Sequence, residues 1–112
     1  PLEVEILVVQ VGHNGQANEM YRISFDGSII DERTFAVIGG KSEAVQALLK
    51  EKGLTQPPEL QAALTLCIAV LEQIGNQKLS LESLEVAVLD RTRDGRRFRR
   101  LAPADTKQLL SP

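Results

Sequence analysis

At 112 residues, 43% hydrophobic and 25% charged, the chain has the length of one domain or part of one and the apolar content of a globular protein, which excludes a disordered chain. Its formal charge of −2 argues against a wholly basic nucleic-acid binder. Its apolar runs are too short or too interrupted to cross a bilayer, and a single cysteine, Cys67, excludes an internal disulfide and fits a reducing cytoplasm. No basic segment followed by an apolar leader opens the sequence. It starts at Pro1, already inside an apolar strand, as a trimmed or processed piece would.

The first expected strand is Leu2 to Val11. Val4, Ile6 and Val8 share one face; Glu3 and Glu5 begin the other, which Leu7, Val9 and Val11 continue, so the strand is expected to be covered on both faces towards its end. A polar loop from Gly12 to Glu19 follows, with Asn14-Gly15 at its tip and His13 beside it. Tyr21, Ile23 and Phe25 then alternate with Arg22 and Ser24, the period of a strand. Asp26-Gly27 predicts a tight turn, and Ile29 and Ile30 resume the sheet. The run Phe35, Ala36, Val37, Ile38 reads as a strand buried on both faces. Gly39-Gly40 ends it, and Ser42 is placed to cap a helix carrying Ala44, Val45, Leu48 and Leu49. Gly53 is placed to close that helix in a left-handed conformation.

Thr55-Gln56-Pro57-Pro58 starts a second helix, since proline is tolerated in a first turn. Its apolar stripe is Leu60, Ala63, Leu64, Cys67, Ile68, Leu71 and Ile74, and Ala62, Leu66, Ala69 and Val70 make much of the remaining surface apolar, so burial on more than one side is expected. Gly75 closes it. A polar connector leads to a strand over Leu84 to Leu89, a turn at Asp94-Gly95, a basic strand from Arg96 to Leu101, and a short helix from Pro103 with Leu109 and Leu110 as its apolar contacts. Strands and helices are segregated, which points to an α+β layered fold for residues 1–112 as a single domain.

The residues offer little chemistry. His13 and Cys67 are far apart, and metal binding needs several converging ligands. Cys67 reads as a small core residue. No nucleophile elbow accompanies a serine, and Gly39-Gly40 lacks any phosphate-loop pattern. Pro1 would act as a base only if desolvated, as in tautomerases of about this subunit size, but those follow their first strand directly with a long helix. The strongest local signal is residues 91–100, with six arginines and one aspartate for a net of +5, leaving −7 on the rest of the chain. Arg91, Arg93, Arg96, Arg97, Arg99 and Arg100 could grip phosphates as a stand-alone nucleic-acid-binding module. Phe98 is their one interleaved aromatic, which does not make a base-stacking platform. A solvated edge strand explains them more simply.

Three stretches, PLEVEILVVQVG at 1–12, YRISFDGSIIDERTFAVIGG at 21–40 and SLEVAVLDRTRDGRRFRRL at 83–101, resemble the C-terminal half of an α-subunit of the proteasome core particle, in particular the actinobacterial type. The resemblance runs in order over nearly the whole chain. It implies an N-terminal-nucleophile hydrolase fold, a four-layer αββα sandwich of which the N-terminal half is absent here. It implies a non-catalytic subunit of a threonine-type endopeptidase complex, placed in an outer ring of α-subunits stacked on β-subunits, gating substrate entry and docking an ATPase activator in the cytoplasm. No position of this sequence matches the family's gating terminus or activator-pocket lysine. The expectation is therefore no catalytic, cofactor-binding or metal residue, no cofactor, and no nucleic-acid or membrane partner. With the second sheet of the sandwich missing, the chain alone is expected to associate as a homodimer or higher oligomer.

Overall fold

The computed structural model describes residues 4–54, 56 and 58–111. They fall into two compact units, residues 1–57 and 58–112.

The first unit is a three-stranded antiparallel sheet followed by a helix. β1 (Ile6–Gln10), β2 (Glu19–Ile23) and β3 (Ile29–Asp31) lie in the order β1-β2-β3. Val8 stands opposite Tyr21, and Arg22 opposite Ile30. The loop between β1 and β2 turns at Asn14 and Gly15, both at positive φ, and the Gln16 N–H donates to the His13 carbonyl at 3.1 Å. Asn18 secures the base of this loop, its Oδ1 accepting the Gly12 N–H at 2.8 Å.

The β2–β3 turn is tighter at its base than the alternation of Tyr21, Ile23 and Phe25 implied. Ser24 N–H donates to the Ser28 carbonyl and Gly27 N–H to the Ser24 carbonyl, each at 2.9 Å. Asp26 Oδ1 accepts the Ser28 N–H at 2.9 Å. Gly27 has φ +88°. Phe25 therefore sits in the turn rather than in the strand, and it is exposed.

Two further expectations fail in this unit. Phe35 to Ile38 forms no strand, because among the described residues nothing pairs beyond β3 and an apolar run without a neighbouring strand has no ladder to join. Ser42 does not cap the helix. α1 (Ser42–Glu51) has Lys41 at its N-cap with no side-chain cap bond, and Ser42 donates its own N–H to the Gly39 carbonyl at 3.3 Å. The other end follows expectation: Gly53, at φ +80°, donates to Lys50 and Leu54 donates to Leu49, the paired bonds of a Schellman motif. α1 buries Val45, Leu48 and Leu49.

The second unit begins with α2 (Leu60–Gly75), whose N-cap is Glu59. Pro58 thus precedes the cap instead of occupying the first turn, and Thr55 and Pro57 lie outside the described residues. Asn76, not Gly75, takes the left-handed conformation that ends α2, at φ +51°. Glu72 accepts from the Leu79 N–H at 2.8 Å and ties down the connector, which contains a single 3₁₀ turn, Leu81–Ser83. β4 (Val86–Leu89) and β5 (Phe98–Leu101) pair antiparallel. Their loop is longer than an Asp94-Gly95 turn, because Asp90 organises it. Asp90 Oδ1 accepts from the Thr92 N–H at 3.0 Å and the Thr92 hydroxyl at 2.6 Å, and the Asp90 N–H donates to Arg97 at 2.9 Å. α3 (Pro103–Leu110) starts with Asp105 accepting the Ala102 N–H at 3.1 Å. It packs against α2, the 3₁₀ turn and β5. Leu64, Val70, Leu101 and Thr106 are buried in this unit.

Candidate interaction surfaces

His13 sits at the corner of the β1–β2 loop and Cys67 on α2, and no group of three or more His, Cys, Asp or Glu converges as a metal site among the described residues. Cys67 is not the core residue its apolar helix suggested. It is exposed, along the same ridge as Leu60 and Leu71, which are 42% and 45% exposed. Partial desolvation raises its thiol above the ordinary 9.0, which leaves the thiolate, the reactive form, scarce at neutral pH. Pro1 lies outside the described residues. Among the described residues no helix is long and apolar enough to cross a membrane.

The arginine hairpin is split by strand alternation. Phe98 and Arg100 fall on one face of β5, Arg99 and Leu101 on the other. Arg100 lines a shallow cleft with Leu84 and Val86, Arg99 lines another with Leu60, Asp105 and Leu109, and Leu101 borders both. Arg96 stands 6.0 Å from the centre of the Phe98 ring. Asp90 lies near Arg93 and Arg99; its bonds from Thr92, and then those arginines, hold its carboxyl below the usual range. A phosphate-gripping face would need neighbouring arginines on one side, and β5 sends its two to opposite sides.

The larger feature is apolar. Every residue of β1 is exposed. Ile6, Val8 and Val9 are 45–46% exposed and Leu7 38%. A strand of this composition, apolar on both faces, is the kind found covered on both faces. Here neither is.

The sequence comparisons bear on what such a strand belongs to. No family model matches the chain. It is 41% identical to the proteasome subunit alpha of Saccharomonospora viridis over 98% of its length. It is 41% identical to that of Thermomonospora curvata over 99%, and 40% identical to that of Acidothermus cellulolyticus over 100%. The chain is a homologue of the actinobacterial proteasome α-subunits. It spans about half the length of the curated relatives it matches, between 46% and 49% of those three. The likeness to proteasome α-subunits seen in the three stretches of sequence thus extends across the helices between them. At the level of architecture, this proteasome α homologue is a small mixed α/β chain with two antiparallel sheets and three α-helices among the described residues.

Proposed function

We propose that this chain is the C-terminal portion of a non-catalytic α-type subunit of the proteasome core particle. In that setting it belongs to the outer ring, beside other α-subunits and upon β-subunits, where substrate entry is gated and an ATPase activator docks for protein degradation in the cytoplasm. The observation that carries this reading is identity of 40–41% over 98–100% of the chain to relatives named as proteasome subunit alpha. The uncovered strand β1 is in keeping with it. In a four-layer αββα sandwich, strands such as β1 lie between two layers, and the remaining half of the domain supplies the cover. Both compact units are then parts of one domain, and the arginines of residues 91–100 are surface charges rather than a nucleic-acid grip. No residue is assigned to gating, docking or catalysis.

Complementation tests this. The part of the Saccharomonospora viridis subunit outside the match is co-expressed with the present chain and with that organism's β-subunit. Assembly into a core-sized particle on sedimentation is expected. If the relative's own matched half completes the particle and this chain does not, the reading fails.

A further inference from the structure

We propose that Asn14 is a site of spontaneous covalent modification, at which the Gly15 backbone nitrogen attacks the Asn14 side-chain amide and the residue ends as isoaspartate and aspartate. The inference concerns the atoms of one turn. It is independent of ring membership and of what covers the sheet.

The fold creates the site. β1 and β2 are joined by a loop whose tip is His13-Asn14-Gly15-Gln16. Asn14 has φ +53° and Gly15 φ +82°, and the Gln16 N–H donates to the His13 carbonyl at 3.1 Å. A turn with both central residues left-handed selects asparagine followed by glycine. The same pair is the one most open to ring closure, since bonding the Gly15 nitrogen to Asn14 Cγ makes a succinimide and glycine has no Cβ to hinder the approach. Among the described residues neither the Asn14 side-chain amide nor the Gly15 N–H has a hydrogen-bond partner.

Comparable positions in the chain are held. Asn18 precedes Glu19, and its Oδ1 accepts the Gly12 N–H at 2.8 Å. Asn76 precedes Gln77, whose N–H donates to the Glu72 carbonyl at 3.2 Å, so the nitrogen that would attack is occupied. At Asp26-Gly27 the Gly27 N–H donates to Ser24 at 2.9 Å. There the bond from Ser28 holds the Asp26 carboxyl below its ordinary range, and an ionised carboxylate offers no leaving group.

The step balances with water alone. The Gly15 nitrogen loses its proton to hydroxide and bonds to Asn14 Cγ. The Cγ–Nδ2 bond breaks, and Nδ2 leaves as ammonia with a proton from water, which restores the hydroxide. Water then opens the succinimide at either carbonyl. Opening at Cγ gives aspartate; opening at the main-chain carbonyl gives isoaspartate, with the chain running through Cβ and Cγ. Isoaspartate thus adds a carbon to the main chain and a negative charge to the tip. The ring closed by the His13–Gln16 bond widens, and the Gln16 carbonyl, which lies against Gly12, loses its fixed place. The modification is a one-way opening of the loop.

Incubation of the chain at about 37 °C, followed by peptide mapping against synthetic aspartyl and isoaspartyl standards, tests this. Asn14 should convert at least about tenfold faster than Asn18 or Asn76, because its neighbour alone lacks a side chain. Isoaspartate should accompany aspartate at position 14, and Asp26 should stay unchanged over the same period. The rate should rise between about pH 6 and about pH 8.5, as attack by a deprotonated nitrogen requires. In the isoaspartyl form the Gln16 amide should lose its protection from hydrogen exchange. Conversion of Asn14 no faster than that of Asn18 or Asn76, aspartate without isoaspartate, isoaspartate arising as fast at Asp26, a rate level with pH, or a Gln16 amide still protected after conversion would each overturn the proposal.

Discussion

Arg22 and Glu32 meet across β2 and the end of β3, with Arg22 Nε 3.7 Å from Glu32 Oε2. Both side chains are about four-fifths buried. Nε lies beyond hydrogen-bonding reach of the carboxylate and has no other acceptor, so the contact is an ion pair without a hydrogen bond. The register explains it. Glu32 is pinned opposite Met20 by its N–H, and Arg22 stands two residues along β2 on the same face. Glu5 approaches the guanidinium from the other side. Arg22→Ala strands two partly desolvated carboxylates and should cost about 1–2 kcal/mol, between the values for exposed and buried pairs. Arg33→Ala breaks the pair with Asp31 at 3.6 Å, in which Arg33 is 88% exposed, and should change stability by no more than about 0.5 kcal/mol. Urea titration of the two variants checks the ordering; equal midpoints would contradict it.

Burial along α2 ranks its substitutions. Val70 is 1% exposed and Leu64 9%, whereas Ile68 is half-buried. Val70→Asp and Leu64→Asp each put a charge without a partner into the core, a penalty of several kcal/mol, and should prevent folding. Ile68→Asp should fold with reduced stability, since its side chain retains access to water. Arg96→Ala removes an exposed ring contact and should shift stability by about 0.5 kcal/mol. Melting curves decide; a cooperative transition for Val70→Asp at the parent's temperature would refute the assignment of the core.

Two glycines should respond in opposite directions to alanine. A Cβ on Gly12 would collide with the Gln16 carbonyl oxygen, a backbone atom that the His13–Gln16 turn holds in place. Gly12→Ala should therefore open the β1–β2 loop and destabilise the chain by about 1–3 kcal/mol. Gly75 ends α2 with nothing within 4 Å of an added Cβ. Gly75→Ala should stabilise by up to about 1 kcal/mol through helix propensity. Chemical denaturation of both variants beside the parent measures the two signs.

Acid should weaken the two hairpin turns. Asp26 and Asp90 each accept local hydrogen bonds, from Ser28 and Thr92, and these bonds lower both carboxyls below the ordinary 3.8. A depressed folded-state pKa contributes stability above the unfolded value that is lost as pH falls through the folded one. Stability should be level above about pH 5 and decline below about pH 4. Amide protection in the two turns, measured by NMR relative to the intrinsic exchange rate at each pH, should fall over that window in the parent, and less in an Asp26→Asn, Asp90→Asn variant.

No turnover of fluorogenic peptides is expected from the chain alone, because peptide hydrolysis needs a nucleophile beside an activating base, and the Asp90 carboxylate that accepts from the Thr92 hydroxyl in the β4–β5 turn is held below the usual range, which makes it a poor base. Hydrolysis by pure protein that survives removal of contaminating proteases would refute this.

Local chemistry was legible in the letters. Asp-Gly and Asn-Gly marked turns, Gly53 marked a helix end, and the apolar period of Leu60 to Ile74 marked α2, because each of these depends on a residue's own backbone preferences or on its neighbours along the chain. Pairing was not legible. Phe35 to Ile38 has the composition of a buried strand and is none, since a strand exists only beside another. Ser42 is a good capping residue, but the turn from Gly39 commits its N–H elsewhere. Cys67 and Leu71 sit on an apolar stripe and are exposed, because a stripe states what a helix can bury and not what is there to cover it. The same distinction holds for β1. Its apolar faces could be read from Ile6 to Val9, whereas its pairing with β2, which sets Val8 opposite Tyr21, is decided by the order in which the described strands pair.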